Sequence, residues 1–319
     1  MRVLRDPWRH WAERGPWSRI LGPVGALYCG VATLRRTLYA AGVLRVHALA
    51  VPVVVVGNVT VGGTGKTPFV LWLCEQLALE GRRPGIVLRG YGGRNRDVLC
   101  VEATTDAGLA GDEAVLLARR APGPVVASRD RVAGAQALVA QGCDVVIADD
   151  GLQHYRLART VEIGVLDGTR RFGNGLCLPA GPLREREARW RNLDFRVTQG
   201  RADAGEWPMG LEGQQAQAVG GDARVALATF KRVHAVAGIG HPQRFFRALE
   251  QSGIEVIPHP FADHHRFTEQ DLMFAGPEPV VMTEKDAVKC ERFARPGLWY
   301  VPVRAALDDE LARRIISRL

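Results

Sequence analysis

The residues with the clearest chemistry lie in Gly57-Asn58-Val59-Thr60-Val61-Gly62-Gly63-Thr64-Gly65-Lys66-Thr67-Pro68, where a glycine-rich turn follows an apolar run and ends in Lys-Thr. Glycines let successive backbone N–H groups turn inward around phosphate oxygens, and a following helix adds the positive end of its dipole. Thr60, Val61, Gly62, Gly63, Thr64, Gly65, Lys66 and Thr67 are therefore the candidate nucleotide-binding residues. Lys66 would neutralise the β- and γ-phosphates, and the Thr67 hydroxyl would ligate Mg²⁺. The first glycine of the usual G-x-x-x-x-G-K-[ST] spacing is Thr60 here, with Gly62 and Gly63 supplying the freedom instead. The plain alternative is a turn before an ordinary helix, against which stand the valine run before it and the amphipathic segment Phe69 to Leu79 after it.

Carboxylates supply the second set. Val145 to Ala148 lead into Asp149 and Asp150, placing two acids at the C-terminal end of a buried strand, the edge of a parallel sheet where ligands bind. Such acids hold Mg²⁺ opposite a phosphate loop, although strand ends also carry helix-capping aspartates. Asp112 and Glu113 precede another helical segment, where they are either a cap and a first-turn acid or a second pair near the nucleotide. Transfer of phosphate to an alcohol needs a group to orient and deprotonate the hydroxyl, and a carboxylate within reach of a histidine can serve. Asp263-His264-His265-Arg266 offers that histidine, unless it is a surface charge cluster. Arg89, Arg129, Arg131 and Arg184 sit at strand ends or Gly-rich turns and suit an anionic ligand, though each could equally be a solvated surface residue.

The elements that must position these groups follow an alternation of strand, turn and helix from Ala50 onward, which predicts an α/β layer fold with a mainly parallel sheet. Strands are expected at Val53–Val56, Pro84–Leu88, Val125–Ala127, Val145–Ala148, Ile163–Leu166 and Phe195–Thr198. Helices are expected at Phe69–Leu79, Asp112–Arg120, Arg129–Gln141 and Glu185–Arg191. Residues 49–199 would form the nucleotide-binding domain and 200–224, rich in Gly, Gln and Ala, a linker or short hairpin. Residues 225–319 would then form a smaller α/β domain, with helices near Pro242–Ser252 and Thr268–Phe274 among its strands.

The net charge of +8 is concentrated at the front, where Arg2, Arg5, Arg9, Arg14, Arg19, Arg35, Arg36 and Arg45 face only Asp6 and Glu13. The uncharged run Ile20 to Leu34 is shorter than the roughly 20 residues that span a bilayer. With Trp8, Trp11, Trp17 and Tyr28 it suits an amphipathic helical segment, residues 1–48, lying on an anionic membrane surface; packing against the protein's own core is the alternative. The cysteines are scattered singly, with no C-x-x-C and no histidine at ligand spacing, which points to a reducing compartment without a zinc site.

Taken together, residues 57–68, Arg-Gly-Tyr-Gly-Gly (89–93), Gly-Asp-Glu-Ala (111–114), Asp-Asp-Gly-Leu-Gln-His (149–154), Gly-Pro-Leu-Arg-Glu (181–185), Asp-His-His-Arg-Phe (263–267) and Thr-Glu-Lys-Asp-Ala-Val-Lys (283–289) resemble the tetraacyldisaccharide 4′-kinase family, over nearly the whole chain and in the family's order. The resemblance implies a P-loop NTPase-like fold and an enzyme of lipid A biosynthesis. That enzyme uses ATP and Mg²⁺ to phosphorylate the 4′-hydroxyl of a tetraacylated glucosamine disaccharide 1-phosphate, forming lipid IVA. It implies a peripheral protein of the cytoplasmic face of the bacterial inner membrane, with no nucleic-acid and no obligate protein partner. Carried over, Lys66, Asp112 and His264 are the catalytic set, and Thr67, Asp149, Asp150 and Glu113 the metal set. Arg184, Glu185, Arg131, His154 and Arg89 fall on the substrate side, with Arg131 favoured over Arg129.

Two rivals fit less well. A partitioning or switch ATPase typically carries a lysine before the Gly-Gly of its loop, where this chain has Val61, and a GTPase needs an Asn-Lys-x-Asp segment that Thr283-Glu284-Lys285-Asp286 only superficially resembles. A nucleic-acid binder is disfavoured because no recognition helix or basic stripe with stacked aromatics accompanies the arginines.

Overall fold

Val53, Val54, Val55 and Val56 are all buried, as a β-branched strand covered on both faces requires. The computed structural model describes residues 8–319; Arg2, Arg5 and Asp6 of the basic front end lie outside them. Helices α1 (Trp8–Trp11) and α2 (Pro16–Ala40) come first. They are followed by β1 (Val53–Gly57), α3 (Lys66–Leu79), β2 (Pro84–Leu88), β3 (Leu99–Val101), α4 (Ala107–Ala110), α5 (Asp112–Arg120) and β4 (Val125–Ala127). Then come α6 (Arg131–Ala140), β5 (Val145–Asp149), β6 (Val161–Asp167), α7 (Ala188–Arg191), β7 (Phe195–Gln199), β8 (Trp207–Glu212), β9 (Gln215–Ala218) and β10 (Arg224–Ala226). The chain ends with β11 (Arg232–Ala237), α8 (Pro242–Gln251), β12 (Glu255–Pro260), β13 (Val280–Thr283), α9 (Glu284–Cys290), β14 (Leu298–Val301), β15 (Arg304–Ala306) and α10 (Asp309–Ile316).

A nine-stranded sheet runs β15-β8-β7-β6-β1-β5-β2-β4-β3, parallel throughout except at its two edges, β15 and β3. Val54 and Val56 face α3, α5 and α10, while Val53 and Val55 face α6 and the segment around Leu152 and Trp190. With β1 at its centre, the phosphate loop emerges beside the ends of β5 and β6. The smaller sheet runs β10-β9-β14-β13-β11-β12 and has its own apolar cores around Phe246 and Phe267.

Several expectations need correction. The 200–224 segment holds strands of both sheets, since β8 extends the large sheet beside β7 while β9 pairs with β10 and β14. After β14 the chain returns, so β15 and α10 belong to the large sheet's layers, with Leu311 and Ile315 buried in its core. The helix expected at Thr268–Phe274 is a single turn, Gln270–Leu272, because Asp271 accepts bonds from the backbone N–H and hydroxyl of Thr268 at 2.8 and 2.9 Å and closes the chain locally. Likewise only Ala188–Arg191 of Glu185–Arg191 is helical. Finally, Cys29 and Cys177 are a bonded pair, their Cα atoms 6.0 Å apart, which ties α2 to the loop before the Gly181–Glu185 motif. Cys74, Cys100, Cys143 and Cys290 are free.

Helix α2 turns its small residues inward, with Ser18, Gly25 and Cys29 buried, and its large ones outward: Trp17, Ile20, Val24, Leu27, Val31 and Leu34 are exposed. Helix α2 therefore packs on the protein through one face and leaves an apolar stripe exposed on the other. No helix among the described residues is long and apolar enough to cross a membrane.

Candidate active site

The phosphate loop is braced from outside. The backbone N–H of Val61 donates to Pro182 O at 2.9 Å and that of Arg184 to Val59 O at 2.7 Å, so the Gly181–Glu185 motif grips the loop as a short extra strand. Gly65 is left-handed (φ 87°) and a Cβ there would lie 2.8 Å from Gln199 Oε1, so only glycine fits the turn into α3. No side chain caps that helix and no acid stands in its first turn, which leaves its N–H groups to an anion. Thr60 and Thr64 are buried, holding the loop, while Gly62, Gly63, Gly65, Lys66 and Thr67 line a cleft of about 1570 Å³.

The adjacent aspartates are separated by the backbone. Asp150 takes a left-handed conformation (φ 49°) and accepts from Arg184 Nη1 at 2.9 Å on both oxygens, with Lys66 Nζ 3.5 Å away. Burial opposes its charge, but Lys66 and Arg184 outweigh that and hold the carboxyl well below its usual range. Asp149 is fully buried and its Oδ1 has no hydrogen-bond partner. Burial, Glu113 and Asp150 push its carboxyl upward, against Lys66 and Arg131. Glu113 accepts a short hydrogen bond from the Thr67 hydroxyl.

A hard cation suits this oxygen set: the orphaned Asp149 oxygen, Glu113 and Thr67 are donors of the right chemistry, whereas Asp150 is occupied by cations. Among the described residues no three His, Cys, Asp or Glu side chains form a metal cluster.

Asp112 and His264, 152 residues apart, meet across the two sheets, with His264 Nδ1 at 3.2 Å from both carboxylate oxygens. Gly111 (φ 94°) makes this possible, because a Cβ there would lie 2.4 Å from Tyr91 O, and the Tyr91 ring packs on His264 at 4.8 Å between centroids. Asp112 is buried, which disfavours its charge, yet the His264 hydrogen bond with Lys285 and Lys289 brings the carboxyl down to about 2. His264, Asp263 and Lys285 line the cleft opposite the phosphate loop.

The arginines divide. Arg131 is buried, donates to Ser128 O at 2.7 Å and sits beside Asp149, with burial pulling its guanidinium down to about 10. Arg89, Arg129, Arg131 and Arg184 all line the cleft. His154 lines it too, drawn down to about 4 by burial and then by Arg131, so it is neutral at physiological pH. Glu185, expected on the substrate side, turns away instead: it is buried under Gln153 Nε2 (2.9 Å) and Tyr155 OH (2.6 Å), with Arg36 of α2 at 3.7 Å. These contacts join α2 to the loop after β5.

Sequence reasoning missed the cluster on the far side of the phosphate loop. Asp167, at the end of β6, accepts from His241 Nδ1 (3.1 Å) and from Arg244, which also reaches Gln199 at the end of β7. Burial disfavours the Asp167 charge, but His241 and Arg244 hold its carboxyl far below the usual range. The strand ends were the available signal: Asp167 and Gln199 occupy the same edge as Asp149.

A phosphate loop after the central strand, with acids at the end of the neighbouring one, defines a P-loop phosphotransferase. The family described as LpxK, Tetraacyldisaccharide-1-P 4′-kinase, matches residues 17–319. Relatives named tetraacyldisaccharide 4′-kinase include those of Stenotrophomonas maltophilia, 51% identical over 95% of this chain and 93% of its own, and Alkalilimnicola ehrlichii, 51% identical over 97% and 95%. The crystal structure of LpxK from Aquifex aeolicus in complex with ATP superposes with a TM-score of 0.77 at 29% identity, covering 94% of this chain and 99% of that one. The chain belongs to the tetraacyldisaccharide-1-P 4′-kinase family.

Proposed function

We propose that the two sheets act as lobes that close on ATP and a lipid-borne disaccharide, and that Asp112 and His264 carry out transfer to its 4′-hydroxyl. The observation that carries this is their pairing across the lobes, with His264 and the neighbouring Glu113 lining the same cleft as the phosphate loop. The family's reaction is ATP-dependent phosphorylation of a tetraacyldisaccharide 1-phosphate. In it the acceptor oxygen bonds to the γ-phosphorus, the β,γ-bridging oxygen leaves with ADP, and the hydroxyl proton passes to Asp112.

Phosphoryl transfer runs through a loose transition state, so positioning matters more than a strong base. The low pKa of Asp112 then keeps the proton acceptor ionised, with His264 Nδ1 steadying its carboxylate. Lys66 and the free N–H groups of α3 hold the phosphates, and Arg131, Arg129 and Arg89 offer cations to the acceptor's own phosphate. Thr67, Asp149 and Glu113 would hold Mg²⁺, which would offset the negative charge of the phosphates.

The outward stripe of α2 supports a membrane-facing placement at the cytoplasmic side of the inner membrane. Its exposed Trp17, Ile20, Leu27 and Leu34 would enter the headgroup region, and the exposed Arg19 would face anionic lipid. Trp8 links this end to the site, its ring under Arg170 at 4.5 Å and beside Gly62.

The test is transfer of labelled γ-phosphate from ATP in micelles, with and without the acylated disaccharide 1-phosphate. Label in the lipid is expected; free phosphate alone, at the same rate with or without lipid, would make the protein a hydrolase. Removal of residues 1–46 is expected to weaken binding to anionic vesicles, more at low salt than at high salt. Unchanged vesicle binding would place the anchor elsewhere.

A further inference from the structure

The Thr283–Lys289 segment places two lysines one helical turn apart on α9, and their surroundings differ. Lys289 is enclosed. Its ammonium lies 2.8 Å from Asp286, 3.7 Å from Asp112 and 5.1 Å from the Phe267 ring centroid, away from the cleft lining. Lys285 lines the cleft, where its ammonium meets Asp263 Oδ1 at 3.3 Å and His264 Nε2 at 3.4 Å.

The counter-ions decide what each lysine can do. Asp286 is 0% exposed and also accepts from the Gly238 N–H and the Thr283 hydroxyl, so Lys289 is fixed in place. Asp263 is 40% exposed, and a pair with so solvated a carboxylate is worth little. A multiply charged phosphate arriving in the cleft would outcompete it. Lys285 also lies in the joint field of Asp112 and Glu113, and Glu113 touches Thr67 at the start of α3. Glu113, Lys66 and Thr67 line the same cleft as Lys285. Burial works against its charge, but Asp112, Glu113 and Asp263 more than compensate, so the ammonium stays protonated.

We propose that Lys285 is the smaller lobe's ligand for the γ-phosphate, releasing Asp263 to bind the transferring phosphoryl oxygens when nucleotide is present. The assignment rests on the kinase reading above. Lys285 keeps its protons throughout and neutralises charge on the γ-oxygens, while the bridging oxygen departs with ADP and the acceptor proton goes to Asp112.

The experiment uses the full chain with Lys285→Met and Lys285→Arg, measuring ATP and ADP affinities by calorimetry, melting temperature, and kcat with micellar acceptor lipid. Lys285→Met is expected to lower kcat about 100-fold and to cut the ATP-over-ADP affinity ratio about tenfold. ADP affinity should stay at the wild-type value while Tm falls only slightly through the lost interaction with Asp112, and Lys285→Arg should restore part of the losses in kcat and ATP affinity. A wild-type ATP/ADP ratio in Lys285→Met overturns the assignment, as does an equal loss of ATP and ADP affinity with a strongly lowered Tm in both variants. A wild-type chain that binds ATP but moves no phosphate to lipid overturns the kinase reading instead, and the ATP/ADP ratio of Lys285→Met still decides the contact.

Discussion

Two helix starts meet the same cleft in opposite ways. Helix α3 begins on a left-handed glycine with no capping side chain and no acid in its first turn, so its free N–H groups face the phosphate site. Helix α9 begins on Thr283, whose hydroxyl accepts from the Asp286 N–H at 3.2 Å, with Glu284 and Asp286 in its first turn. Its N-terminal dipole is answered by its own residues. What α9 offers the site is Lys285, a charge on a flexible stem. One lobe supplies fixed backbone donors and the other a side chain that can exchange partners, a division suited to a cleft that must hold a nucleotide and also release it.

The largest blow to this contrast should come from Lys66→Ala, which removes the lysine at the start of α3 on the fixed side. Turnover should fall by about 1,000-fold or more, read as label transferred to lipid; near-normal transfer would show that α3's backbone alone suffices. Next, Asp112→Asn should lower kcat by about 100-fold with ATP affinity nearly unchanged in calorimetry. If ATP affinity falls as far as kcat, Asp112 belongs to nucleotide binding.

The same carboxylate should be visible in stability. Its folded-state pKa lies below the ordinary value, so it stabilises the fold above about pH 4, and that contribution is lost as pH falls toward about 2. The difference amounts to about 2 kcal/mol. Urea unfolding of wild type and Asp112→Asn at both ends of that range should show the gap close in acid; a constant gap would deny the link to His264 and the lysines. The smallest effect should follow Thr283→Val, which uncaps α9 at a cost of about 1 kcal/mol. A lowered Tm with ADP affinity intact would keep the two helix starts independent.

Much of this was legible in the sequence. The valine runs of β1 and β5 and the glycines between Gly57 and Lys66 are local signals, and they located the central strands and the phosphate loop. The pairing of Asp112 with His264 came through the family resemblance, because nothing local links residues that far apart in the chain. The return of β15 and α10 to the large sheet left no trace either, since an edge strand and a short amphipathic helix look alike wherever they dock. Cys29 and Cys177 meet across 148 residues of sequence, a separation in which spacing says nothing about pairing. Glu185 was placed on the substrate side through the resemblance alone, and no local signal in the sequence foretold that its carboxylate accepts from Gln153 and Tyr155.

Were the outward stripe of α2 to rest on lipid as proposed, the cleft would be held within reach of one leaflet, with Trp8 beside the edge of the phosphate loop. Acceptor would then arrive by lateral diffusion in two dimensions, and ATP from bulk water. The effective acceptor concentration would be its mole fraction in the surface, so diluting it with inert detergent at fixed total amount should slow the enzyme as though substrate had been removed.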